Sequence, residues 1–164
     1  MKTGIFYATS TGTTQKVAGL IAEAIGVADS DVHDVSKTAP SVLGGYDLVI
    51  LGAPTYGAGD LHGEMSDFLD GVRSLDLKGK KAAVFGCGDT DMSLTFCNGV
   101  EKIYKVLQGT GAVMVGTYNT FPYKFEASEA VPVTGGEALG LLIDDINHAG
   151  NTKERVAEWV KSLH

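Results

Sequence analysis

Residues 5–26 read Ile-Phe-Tyr-Ala-Thr-Ser-Thr-Gly-Thr-Thr-Gln-Lys-Val-Ala-Gly-Leu-Ile-Ala-Glu-Ala-Ile-Gly. The opening Ile5-Phe6-Tyr7-Ala8 suits a short buried strand. Val17, Leu20, Ile21, Ala24 and Ile25 then recur at i, i+3, i+4, i+7 and i+8, the stripe of a helix lying against a sheet. Gly26 supplies a C-terminal cap. Between strand and helix stand Thr9, Ser10, Thr11, Gly12, Thr13 and Thr14, five hydroxyls in six positions. Those hydroxyls, the free N–H groups of the helix start and the helix dipole all offer something to an anion. Gly12 lets the backbone turn tightly around it. No Lys follows the Gly as in a Walker loop, and there is no G-x-G-x-x-G, so the pattern suits a phosphate that is held and not transferred. Lys16, one turn into the helix, reads as solvated. A Ser/Thr-capped helix with no ligand explains the loop equally well when it is taken alone.

Working outward, short apolar runs keep alternating with amphipathic segments, which predicts βαβ units and a parallel sheet. Asp31 to Val35 is a second strand and Tyr46 to Gly52 a third. Glu64 to Val72 is a helix, and Lys81 to Gly86 a fourth strand. Asn98 to Leu107 carries Val100, Ile103, Tyr104 and Leu107 on one helical face. Ala112 to Tyr118 begins a fifth strand, and Leu139 to Ile143 looks like its other half. The stretch from Asn119 to Glu137 is long for a structureless loop inside a compact domain, so it reads as an insertion splitting strand five. Its aromatics Phe121, Tyr123 and Phe125 would pin it to the surface. From Asn151 a last helix presents Val156, Trp159, Val160 and Leu163, with Asn151 or Thr152 as its cap.

The chain of 164 residues fits one domain, 1–164, with room for a real core. It has no repeat, no biased linker and no ~18-residue apolar run of the kind that spans a membrane. The N-terminus lacks the apolar core and cleavage site of a signal peptide, which points to the cytoplasm. Cys87 and Cys97 form no zinc-like spacing. In a reducing compartment they are expected to be free thiols. His33, His62, His148 and His164 make no metal constellation. A formal net charge of −7 excludes a nucleic-acid footprint and suits docking onto basic protein surfaces.

In a doubly wound sheet, ligands sit beyond the carboxyl ends of the strands at the switch point in strand order. Besides the loop after strand one, two more stretches stand at that edge. Ala53-Pro54-Thr55-Tyr56-Gly57-Ala58-Gly59-Asp60 follows strand three, with a rigid turn, a planar ring at Tyr56 and a permissive Gly57. Gly86-Cys87-Gly88-Asp89-Thr90-Asp91-Met92 follows strand four and lets backbone approach a flat ring edge. Each is an ordinary turn by itself. The combination is not.

Together the three loops resemble the flavodoxin family, over essentially the whole chain. Thr9-Ser10-Thr11-Gly12-Thr13-Thr14 is similar to its phosphate loop, Pro54-Thr55-Tyr56-Gly57 to its P-T-aromatic-G element, and Phe85-Gly86-Cys87-Gly88-Asp89 to its F-G-x-G-D element. Glu126 to Val131 and Leu139-Gly140-Leu141 resemble the insertion and strand-five completion of the long-chain subgroup, and Arg155 to Val160 its last helix. The resemblance implies an α/β, three-layer, doubly wound five-stranded parallel sheet in the order 2-1-3-4-5, with strand five split. It also implies non-covalent FMN, with Thr9, Ser10, Thr11, Gly12, Thr13 and Thr14 on the phosphate. Pro54, Thr55, Tyr56 and Gly57 would line the ring, Tyr56 covering one face. Cys87, Gly88, Asp89 and Cys97 would line the pyrimidine edge, and Met92 would take the place of the family's outer tyrosine. Thr13 replaces the usual Asn, and Ile146 stands where the family has an Asp near the ribityl chain.

The implied role is low-potential one-electron transfer between redox proteins, a reductase donor and an oxidoreductase acceptor, by an acidic monomer with no turnover, membrane partner or metal of its own. A redox-linked flip of the Gly57–Ala58 peptide would tune the flavin, since Gly57 removes the Cβ penalty at φ > 0. Asp60, Glu64, Asp67, Asp89 and Asp91 would oppose a final negative charge on the ring. A flavin enzyme on the same fold would need a substrate pocket over the ring. A phospho-receiver would need carboxylates where this chain has Thr9-Ser10 and Pro54-Thr55.

Overall fold

In the computed structural model, residues 1–9, 12–56, 60–61, 63–88, 97, 99–119, 130–131, 137–145 and 147–163 are described, the side chains of residues 56, 60, 61 and 119 excepted. Strand β1 (Thr3–Tyr7) leads into α1 (Thr13–Ile25), and β2 (Val32–Asp34) follows. Next come β3 (Leu48–Tyr56), the short β4 (Asp60–Leu61), α2 (Gly63–Val72) and β5 (Lys81–Cys87). Helix α3 (Gly99–Gly109) precedes β6 (Val113–Met114), β7 (Tyr118–Asn119), β8 (Glu137–Ala138) and β9 (Leu141–Ile143). Helix α4 (Thr152–Trp159) ends the fold.

The parallel sheet runs β2-β1-β3-β5, and β6 and β9 share the far edge of β5. β6 sits in register Lys81↔Val113 and Ala82↔Met114, while β9 runs from Phe85↔Leu141 to Cys87↔Ile143. Counted as one strand, β6 and β9 give the order 2-1-3-4-5 with strand five in two pieces. β9 can reach β5 because Gly140 has no side chain: a Cβ there would lie 2.1 Å from the Val84 carbonyl oxygen.

Two-residue periodicity divides the sheet's side chains between two cores. Phe6, Val49, Leu51, Ala82 and Val84 point to one face, where α2 brings Met65 and Leu69 and α3 brings Val100 and Ile103. Ile5, Leu48, Ile50, Ala83 and Phe85 point to the other, against Val17, Ala18 and Ile21 of α1 and Val156 and Trp159 of α4. Three layers follow directly. The burial of the Val, Leu, Ile, Met and Phe side chains among these, each stabilising by about 1.5–3 kcal/mol, holds the layers together.

Several element boundaries differ from the sequence expectation. Strand two spans Val32–Asp34 and not Asp31 to Val35, because tight turns at Asp29–Asp31 and Val35–Lys37 flank it. In α1 the buried face is Thr14, Val17, Ala18, Ile21 and Ala22, a rotation that leaves Ala24 exposed. The third strand continues to Tyr56, so Pro54, Thr55 and Tyr56 belong to β3 and not to a loop. β1 pairs β3 no further than Gly52, and Pro54 pairs only β5 at Cys87. A missing N–H therefore costs little there. The fifth strand stops at Met114. Gly116 turns with φ 84°, its carbonyl accepts the Trp159 indole N–H at 2.7 Å, and Tyr118 pairs antiparallel with Ala138. Tyr118 is held against α4 by a hydrogen bond to Glu158 and by the Arg155 guanidinium 5.1 Å from its ring. Val115 still donates its N–H to the Ala82 carbonyl of β5 at 2.9 Å, and residues 116–118 then leave β5 for α4. The insertion's ends are paired strands, while Phe121, Tyr123 and Phe125 lie outside the described residues.

Candidate functional site

The chain leaves β1 for β2 on one side and returns to β3 on the other, so the carboxyl ends of β1 and β3 flank the switch point. Thr9, Gly12, Thr13 and Thr14 stand at the end of β1. Gly12 takes φ 92°, a left-handed conformation with open space around it, and it donates its N–H to Thr9 Oγ1 at 3.0 Å. The Lys16 N–H then closes the first helical turn on the Gly12 carbonyl at 3.0 Å. The N–H groups before Lys16 face out of the helix end with no intrahelical acceptor available to them. No carboxylate stands in the first turn.

Thr14 is 1 % exposed, and its Oγ1 has no hydrogen-bond partner. A buried hydroxyl without a partner costs about 1–3 kcal/mol, a cost that a ligand atom at this position would offset. The Cys87 thiol lies beside that hydroxyl without reaching hydrogen-bond geometry. Orphaned hydroxyl, left-handed Gly12 and helix dipole converge on one point. They fit a phosphate.

At the end of β3, Pro54 and Thr55 are half-buried. Thr55 Oγ1 accepts the Gly99 N–H at 3.0 Å and so caps the start of α3. That bond ties the end of β3 to the start of α3. Beyond β5, the Gly88 N–H donates to the Ile143 carbonyl at 2.9 Å, which binds this loop to β9. Cys87 and Cys97 are both buried and free, in line with the sequence. Burial pushes the Cys87 thiol up to about 12, with Asp145 adding to the rise and Thr14 opposing it. Burial pushes Cys97 well above its ordinary value, with the Cys87 thiol adding to the rise. Both remain protonated thiols at neutral pH. Cys97 also takes φ 53°, uncommon for a side-chain-bearing residue.

The structure thus brings Thr9, Gly12, Thr13, Thr14, Pro54, Thr55, Cys87, Gly88 and Cys97 to one edge of the sheet. Ser10, Thr11, Gly57, Ala58, Asp89 and Met92 lie outside the described residues, as do Asp91 and Ile146. For Tyr56 only the backbone is described. No cluster of metal-ligating side chains occurs among the described residues.

Sequence reasoning missed a polar network behind this edge. Lys16 is not simply solvated: its ammonium pairs with Asp145 Oδ2 at 3.0 Å. Asp145 Oδ1 accepts the Thr152 hydroxyl at 2.8 Å. The buried Asp144 carboxylate accepts the Asn147 backbone N–H at 2.8 Å and its side-chain amide at 2.9 Å. Nothing in the local sequence pairs Lys16 with a residue 129 positions away.

Comparison with known proteins points to one family. The sequence profile of the family described as Flavodoxin matches residues 5–159. Flavodoxin 1 of Salmonella typhimurium strain LT2 is 37 % identical over 162 residues, covering 98 % of this chain and 92 % of that protein. Flavodoxin 1 of Escherichia coli strain K12 is 36 % identical over the same shares of both chains. Among solved structures, Fusobacterium nucleatum flavodoxin bound to flavin mononucleotide superposes with a TM-score of 0.89 at 28 % identity, covering 98 % of this chain and 96 % of that one.

Proposed function

The chain belongs to the flavodoxin family and is an FMN-dependent electron carrier, and on that premise we propose how its residues serve the cofactor. Residues 1–164 form one FMN-binding domain. Thr9 to Thr14 hold the phosphate, and the observation that carries this is the buried Thr14 hydroxyl left without a partner at the helix start. Pro54 to Gly57 line one side of the ring, with Tyr56 against its face. Cys87, Gly88, Asp89 and Cys97 line the pyrimidine edge, and Met92 covers the outer face with a softer contact than tyrosine provides.

FMN supplies one-electron chemistry when bound. The protein's part is to bind it, exclude water and set its potential. Glu64 and Asp67 are exposed on α2, and with Asp60, Asp89 and Asp91 they disfavour a further negative charge on the ring. This supports a low potential. The Gly57–Ala58 peptide adjusts its orientation with the redox state. Gly57→Ala is expected to reduce the blue species seen on partial reduction, and an undiminished blue absorbance would sink that role.

A fifth strand divided between β6 and β9 supports placement in the long-chain subgroup. The chain works as a monomer in the cytoplasm, where free thiols persist, and docks on an acidic face to a reductase donor and an oxidoreductase acceptor. No helix among the described residues is long and apolar enough to cross a membrane. The protein turns over no substrate of its own. Purified protein should carry FMN, released by acid and identified by mass, and should show no steady NAD(P)H–quinone turnover. An empty, colourless protein or sustained turnover would contradict the reading.

A further inference from the structure

We propose that Lys16 is a charge-compensating, positioning residue for the phosphate loop, masking the Asp145 carboxylate that stands behind that loop. The inference rests on the FMN reading above. Three segments meet at this point: the start of α1 with Thr14, the end of β5 with Cys87, and the turn after β9 with Asp145. Lys16 closes the first turn of α1 on Gly12 and also pairs with Asp145 at 3.0 Å, which brings that charge against the helix start, and Cys87 responds to both Thr14 and Asp145. Asp145 has only 12 % of its side chain exposed, so water screens it poorly.

Its orientation is fixed from the other side by Thr152, which is buried and donates its hydroxyl to Oδ1 at 2.8 Å. A dianionic phosphate at the helix start would be repelled by this carboxylate. Lys16 removes the conflict. Its backbone N–H closes the turn on Gly12, and its ammonium reaches across 3.0 Å to Oδ2. The pair itself adds little to stability, since the lysine side chain is 55 % exposed. Its effect belongs to the bound anion.

The test is the dissociation constant of the apoprotein for FMN and for riboflavin, which lacks the phosphate. It is measured by flavin fluorescence quenching for the parent protein, Lys16→Met, Lys16→Arg, Asp145→Asn and the Lys16→Met/Asp145→Asn pair. Lys16→Met should weaken FMN about tenfold at an effective dielectric near ~20, and riboflavin less than about twofold. Lys16→Arg should retain FMN affinity, Asp145→Asn should not weaken it, and the double variant should return to near the parent value. The loss in Lys16→Met should also shrink at high salt. Thermal melting of each apoprotein separates a folding defect from a binding one.

Unchanged FMN affinity in Lys16→Met, equal losses for both flavins, or a double variant as weak as Lys16→Met would overturn the proposal. So would a loss in Asp145→Asn matching that in Lys16→Met. If the parent apoprotein binds neither flavin, the FMN reading itself fails, which is a distinguishable result.

Discussion

Thr14 shows how one side chain divides its use between folding and binding. Its methyl group is buried at the start of α1, where the residue is 1 % exposed, and its hydroxyl has no partner among the described residues. Replacing that hydroxyl with a methyl should therefore spare the apoprotein. Thr14→Val is expected to leave the melting temperature of the flavin-free protein unchanged or raise it. The same variant should weaken FMN roughly tenfold or more, because a hydrogen bond to a charged group is lost. Parallel melting and flavin titration check both halves. A variant that melts lower and binds FMN normally would show that the hydroxyl serves the fold. Five of the six positions from Thr9 to Thr14 carry hydroxyls, which residues 9–14 show at once, although a capped helix with no ligand would read the same. Which hydroxyl would be buried and unsatisfied was not legible there, since that depends on Cys87, which is 73 positions further along the chain.

At the scale of elements, the edge pieces depend on side-chain tethers. On the β2 edge, Tyr46 donates to Asp31 Oδ1 at 2.9 Å and accepts from His33 Nε2 at 2.7 Å, while Phe6 stacks on the imidazole with ring centroids 4.9 Å apart. Burial holds His33 below its ordinary value of 6.5, with the Asp31 charge opposing. The fold thus favours the neutral ring. That contribution is complete above the unfolded value and is lost as pH falls through it toward the lower folded value. Chemical denaturation from pH 7.5 to about pH 5.5 should show a smaller loss of stability for His33→Gln than for the parent protein. Identical losses would place the pH sensitivity elsewhere.

At the opposite edge, Trp159→Phe keeps the ring but strands the Gly116 carbonyl. It should cost about 1–3 kcal/mol in denaturant unfolding. No measurable loss would mean that water replaces the indole. The elements themselves were largely readable, because β1 and β5 are short apolar runs and α1 and α3 carry a stripe of period 3.6. The ends of β3 and strand five were not. Pro54 reads as a turn until the register shows that β1 has already ended beside it. The departure at Gly116 depends on Trp159, 43 residues away.

Over the whole molecule, the sheet order places three loops from distant stretches along one carboxyl edge, and the network of Lys16, Asp145 and Thr152 closes that edge from behind. The chain is an FMN-dependent electron carrier with a formal charge of −7. Anaerobic reductive titration of the FMN-reconstituted protein, followed in the visible, tests this directly. The expected result is one FMN per chain and a yellow protein that turns blue and then pale in two separate steps. A chain that binds no FMN, or a yellow protein that bleaches in a single two-electron step, would contradict the role of one-electron carrier.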